Sequence, residues 1–110
     1  MIVSAWYDGH GTYGLRIMGG QEGLWFRPEW ERATVRLPDE AEPVVMAITE
    51  SFWTGNPVLR SQRIRDFLDR NGFIPWDKQS PPHFELEPAG GGEFRLKWIE
   101  RPEGQLRLGL

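Results

Sequence analysis

Cysteine is absent from this chain of 110 residues, which excludes disulfides, thiolate metal sites and cysteine nucleophiles. Lysine is nearly absent: Lys78 and Lys97 are the only two among 13 basic residues, and arginine supplies the rest. That bias fits bidentate recognition of phosphate or carboxylate; the blander reading is a GC-rich coding bias. No apolar run approaches the roughly 18–20 residues that a membrane span needs. The start, Met1-Ile2-Val3-Ser4, has no basic segment leading into an apolar stretch, so no signal peptide is expected. A soluble cytoplasmic protein with no membrane partner is the expectation. A net charge of −3 argues against a protein that grips nucleic acid over its whole surface.

What the chain does have is turns and aromatics. Thirteen glycines and nine prolines favour short strands over a helical bundle. Six Trp, six Phe and two Tyr are enough for a real core in one domain, residues 1–110. Ile2–Tyr7 and Thr12–Met18 flank the turn cluster Asp8-Gly9-His10-Gly11 and read as a hairpin. Leu24–Arg27 reads as a short strand ended by Pro28. Thr34–Leu37 alternates, with Val35 and Leu37 on one face. Val44–Ile48 is nearly continuous in apolar character, as in a strand buried on both faces. Phe84 and Leu86, then Phe94, Leu96 and Trp98, alternate about Gly90-Gly91-Gly92 as a second hairpin. Arg101–Leu110 suits a short edge strand or a frayed tail. The fold expected is mainly β: a small open or pseudo-barrel of six to seven short antiparallel strands with one capping helix near 57–71.

That helix carries the strongest local punctuation. Asn56 is a good N-cap, Pro57 suits the first helical position, and Gly72 supplies a left-handed residue past the end. Ile64, Phe67 and Leu68 share a stripe at 3.6-residue spacing and are expected in the core. Arg65 with Asp69, and Asp66 with Arg70, stand at i,i+4 on the outside. Arg63 and Arg70 align on one flank, and Arg60 falls in the first turn, where the dipole disfavours a cation unless an anion is near. Residues 37–56, by contrast, hold Asp39, Glu40, Glu42 and Glu50 and no base.

No catalytic signature stands out. His10 lies between two glycines with Asp8 in reach to orient its ring, and His83 offers a second acid–base. A His–carboxylate pair with an arginine is the minimum for a metal-independent nuclease acting on RNA, although an exposed histidine in a hairpin loop is the simpler reading. The glycine clusters lack the Gly-Lys-Ser/Thr ending of a phosphate loop. Asp39, Glu40 and Glu42 lack the regular Ca²⁺-loop pattern. Neither a cofactor nor a metal is expected. Trp25, Phe26, Arg27, Trp30 and Arg32 interleave aromatics with bases, a mixture that stacks on nucleobases while neutralising phosphate. The same mixture marks protein–protein hot spots, or simply tryptophans filling a barrel with arginine stems over them.

The stretch from Ser51 to Pro88 contains Ser51-Phe52-Trp53, Asn71-Gly72-Phe73, Pro75-Trp76, Pro81-Pro82 and Phe84-x-Leu86-x-Pro88. It resembles a block found in small prokaryotic proteins that brings no known activity. The order helix, Asn-Gly-aromatic, polar turn, strand, Gly turn, strand is similar to the second half of B3-type DNA-binding pseudobarrels. Where that family usually carries a Gly-Asp turn, this chain has Asp77-Lys78-Gln79-Ser80-Pro81-Pro82, and the first half shows no match. The likeness implies a barrel that touches nucleic acid. The expected function is a small non-enzymatic binding module for DNA or RNA. Arg60, Arg63, Arg70, Arg27 and Arg32 would meet phosphate, with Trp25 and Trp30 as stacking surfaces. A protein-interaction module is the alternative, and a nuclease using His10 and His83 the third reading.

Overall fold

A computed structural model describes residues 1–99 of the chain. Seven strands, β1 (Ile2–Tyr7), β2 (Tyr13–Ile17), β3 (Arg32–Arg36), β4 (Val44–Ala47), β5 (Val58–Arg60), β6 (His83–Gly90) and β7 (Glu93–Trp98), form a closed barrel. Around the wall the order is β1-β2-β5-β4-β3-β7-β6. Neighbours are antiparallel except β3 and β7, which run parallel from Thr34 opposite Glu93 to Arg36 opposite Arg95. Alternation along each strand fills the interior with Val3, Ala5, Leu15, Ile17, Ala33, Val35, Val44, Met46, Leu86 and Leu96. A barrel of this strand number is filled by side chains and leaves no channel.

Both ends are closed by aromatic rings. At one end Phe26 stacks on Phe94 at 4.8 Å and meets Phe52 edge-on at 5.0 Å. At the other, Phe67 lies 5.8 Å from Phe84 and stacks on Trp98 at 5.6 Å. Phe94 and Trp98 are four residues apart on β7, about 13 Å of strand, so the two clusters sit at opposite ends. Helix α1 (Glu22–Trp25) and the 3₁₀ turn Glu50–Trp53 serve the first cluster, and helix α2 (Gln62–Arg70) the second. As its spacing predicts, α2 buries Ile64, Phe67 and Leu68. Gly72, at φ 78°, carries the chain out of the helix through the left-handed region.

Several local expectations give way to tertiary packing. The segment led by Asn56-Pro57 is strand β5, not the first turn of the helix: Val58 and Leu59 are fully buried and pair with β2. The helix instead begins after Ser61, whose hydroxyl accepts a hydrogen bond from the Arg63 amide at 3.2 Å. Arg60 therefore stands on a strand, and the dipole argument for an anion beside it lapses. Leu24–Arg27 is not a strand, since α1 runs through Trp25. Val44–Ile48 alternates, with Val44, Met46 and Ile48 inward and Val45 and Ala47 outward, because β4 lies in a barrel wall with only one covered face. The edge strand suggested for Arg101–Leu110 lies outside the described residues.

Gly14 is the closest approach in the wall. It pairs with Arg60, and a Cβ placed there would collide with the Leu59 carbonyl oxygen and lie 2.7 Å from Val58 Cγ1. A backbone atom cannot step aside as a side-chain tip can. Gly14→Ala is expected to destabilise the protein by about 1–3 kcal/mol. Gly23→Ala, in α1 with open space around the site, is expected to be neutral or slightly stabilising. Urea unfolding midpoints of the two variants test the contrast; equal midpoints would contradict the close approach.

Candidate functional site

The sequence-predicted binding residues separate into three places. Trp25, Arg27, Trp30 and Arg32 lie in the connection between β2 and the start of β3, at the Phe26 end of the barrel. Trp30 is half-buried there, edge-on to Phe26 at 6.3 Å, while Trp25, Arg27 and Arg32 are exposed. Arg63 and Arg70 lie on α2 at the opposite end. Arg60 is on the barrel wall. No single surface collects all seven.

Arg63 and Arg70 do align on one flank, and an acidic loop meets them. Arg70 grips Asp39 with two hydrogen bonds, Nε to Oδ2 and Nη2 to Oδ1, both 2.9 Å. Arg63 Nη2 reaches Glu40 Oε1 at 2.8 Å, and its Nη1 donates to the Pro43 carbonyl at 3.1 Å. Asn71 Nδ2 also donates to Asp39, at 3.0 Å. These links displace the expected intrahelical pairs: Arg70 turns to the 39–40 loop, not to Asp66, and the closest acid to Arg65 is its neighbour Asp66, at 4.0 Å. The acidic segment and the basic helix, separate features in sequence, are one ion-pair network. The bonds from Arg70 lead in holding the Asp39 carboxyl down to about 2, with Asn71 helping against the opposing effect of partial burial.

Lys97 pairs with Glu87 at 3.4 Å, but several other cations stand apart from carboxylates. Among the described residues Arg16, Arg60 and Lys78 form no ion pair. Two of them, Arg16 and Lys78, line a groove of about 870 Å³. One side of it comes from β1 and β2 through Trp6, Tyr7, Tyr13 and Arg16; the other comes from Ile74, Pro75, Trp76 and Lys78. Alternation explains Trp6 and Arg16, which share the outward positions of the hairpin with Ser4 and Met18; Tyr7 and Tyr13 belong to the inward row of Ala5 and Leu15 and reach the groove at the hairpin's end. Trp6, Gly14 and Arg60 then fall in one row across β1, β2 and β5. The bare centre of that row lets the Arg60 guanidinium sit 4.7 Å from the centre of the Trp6 ring. Arg60 is fixed further by a long bond to Ser51 Oγ at 3.4 Å, although its buried Nε has no partner. Arg16 donates to Asn56 Oδ1 at 3.0 Å, so the residue expected to cap a helix steadies a groove arginine.

Aromatic contacts continue along the groove. Tyr7 stacks on Tyr13 at 4.4 Å, and Tyr13 meets Trp76 edge-on at 6.0 Å. Arg65 of α2 lies over the other ring system, 6.0 Å from the Tyr13 centroid. In the sequence these rings count only toward a core, and nothing there places them together. The one available signal was an outward-facing Trp6 opposite a glycine in the hairpin register.

Asp8 does not orient the His10 ring. Its Oδ1 accepts the backbone amides of His10 at 2.6 Å and Thr12 at 3.0 Å, and those two amides are the main reason its carboxyl stays below the usual range. His10 and His83 are both exposed. Among the described residues no group of three or more His, Cys, Asp or Glu is placed to hold a metal, and no helix is long and apolar enough to cross a membrane.

The folded-state Asp39 carboxyl lies below its ordinary 3.8, so its pairing stabilises fully above that value and is lost as pH falls through about 2. Asp39→Asn is expected to cost about 0.5–1 kcal/mol near neutrality, less in high salt because the pair is partly solvated. It should also flatten the fall in stability between about pH 4 and 2. Chemical unfolding across that range measures both; an unchanged acid limb would contradict the Arg70 pairing. Compared with protein-family models, with curated proteins and with solved structures, the chain finds no match in any of the three.

Proposed function

We propose that this protein is a non-enzymatic binding module that takes single-stranded nucleic acid in the groove beside the β1–β2 hairpin. The observation that carries this reading is the pairing of aromatic rings with uncompensated cations in one open groove. Trp6, Tyr7 and Trp76 offer ring faces and edges for stacking, while Arg16 and Lys78 supply charge for the phosphates. The arginines of α2 contribute less, because Asp39 and Glu40 already satisfy Arg63 and Arg70. The open groove suits unpaired bases better than a duplex, whose bases are already stacked. The resemblance of the second half of the chain to B3-type DNA-binding pseudobarrels, carried by the sequence alone, implies a nucleic-acid partner.

A protein partner is the second reading, and a different surface favours it. Leu24 is 71% exposed and Trp25 44% exposed on α1, at the barrel end remote from α2. Exposed Trp beside Leu is the composition of an interaction patch. Self-association of purified, nucleic-acid-free protein that Leu24→Glu abolishes would favour this reading.

Fluorescently labelled single-stranded DNA and RNA, titrated at low salt, test the first. Affinity is expected to fall steeply with salt as phosphate contacts release counterions. Trp6→Ala or Trp76→Ala is expected to weaken binding by roughly 5- to 100-fold per stacked base lost. Arg16→Ala should weaken it and flatten the salt slope, whereas Arg63→Ala should change it little. Absence of binding to both DNA and RNA at low salt would end the nucleic-acid reading.

A further inference from the structure

The groove that we read as a nucleic-acid site also contains a carboxylate. Asp8 stands at the end of β1, directly after Tyr7, and is the one acidic residue lining the groove. An acid is out of place in a surface meant only to attract phosphate, since it repels the backbone that Arg16 and Lys78 would hold. Its position is fixed rather than loose. The backbone amides of His10 and Thr12 both donate to Oδ1. Oδ2 receives neither of these amides, while the two bonds on Oδ1 hold the side chain in place.

We propose that Asp8 is the specificity-determining residue of the groove, accepting through Oδ2 a hydrogen bond from the exocyclic amine of a base stacked on the neighbouring rings. The inference rests on the nucleic-acid reading of the groove. The chemistry selects among bases. Cytosine N4 and adenine N6 each present an amine hydrogen to a single acceptor. Uracil and thymine present the O4 acceptor at the equivalent place, which a carboxylate repels, and their one ring donor is flanked by two carbonyl oxygens. Guanine too can donate one hydrogen of its N2 amine to a single oxygen, so the selection is for amino bases over uracil and thymine. The groove is therefore a reader of amino bases, with cytosine the preferred pyrimidine.

Oligo-deoxycytidine and oligo-deoxyuridine of equal length provide the test, because they share ring size and backbone and differ at position 4. At neutral pH and fixed low salt, the wild-type protein is expected to bind the cytidine oligomer roughly tenfold more tightly, the worth of one charge-assisted hydrogen bond. Asp8→Asn keeps an oxygen for the two backbone amides and puts an amide donor where Oδ2 stood. It is expected to reverse the preference toward deoxyuridine, with the near-ultraviolet circular dichroism of the fold unchanged. Equal binding of the two oligomers by wild type, or a cytidine preference that survives Asp8→Asn, overturns the role of Asp8 while leaving the groove as a binding site. Failure to bind either oligomer overturns both. If Asp8→Asn loses the native spectrum, Asp8→Glu provides the second variant. Its longer arm displaces the acceptor while keeping the charge, so the cytidine preference should fall severalfold; an undiminished preference overturns the proposal.

Discussion

The pairing of β5 with β2 across Gly14 is the contact on which the rest of the structure depends. β5 has only three residues, and its link to β4 is a single bridge, Ala47 opposite Arg60. The barrel closes because Leu59 and Val58 can approach β2 where a side chain is missing. That approach buries Val58 and Leu59 completely, a gain of about 1.5–3 kcal/mol for each such side chain. Helix propensity differs by well under 1 kcal/mol per residue among ordinary side chains. The strand therefore prevails over a helix start that the local residues favour, and the N-cap of α2 falls five residues later, at Ser61.

Two surfaces follow from that choice. On the outside of the wall, Arg60 is brought over Trp6, and Asn56 is released to hold Arg16. At the barrel end, α2 is set beneath the loop between β3 and β4, where Arg63 and Arg70 meet Asp39 and Glu40. Basic residues of similar appearance in sequence thus acquire different uses. Arg63 and Arg70 on α2 are tied to carboxylates and fasten the loop to the helix. Those beside the groove keep their charge available among stacked rings. Partly exposed ion pairs contribute little net stability one by one, but they do decide which cations remain free for a ligand.

Much of the fold could be read from alternation and turn chemistry. The two hairpins, the inward faces of Val35 and Leu37, of Phe84 and Leu86 and of Phe94 and Leu96, and the buried stripe of α2 all follow from periods of 2 and 3.6. Val44–Ile48 was misleading because outward Val45 and Ala47 are apolar, so composition hid the alternation that burial shows. The candidate site was less legible. Its aromatics come from residues 6, 7, 13 and 76, which no local window contains together. The cluster of Trp25, Arg27, Trp30 and Arg32 is contiguous in sequence and so easier to notice, yet Trp30 is largely spent on the barrel end.

The sequence by itself determined a cysteine-free, turn-rich β domain with one amphipathic helix, because turn preferences and hydrophobic periods are local properties of the chain. It also supplied every residue of the groove without showing that they meet. Only the tertiary structure decided where that helix starts, that the sheet closes with one parallel pair, and which arginines are tied to carboxylates. Each of those outcomes turns on a contact between distant segments: β5 against β2, β3 against β7, and the 39–40 loop against α2. Burial and ion pairing across such distances outweigh local preference, and no reading of neighbours along the chain contains them.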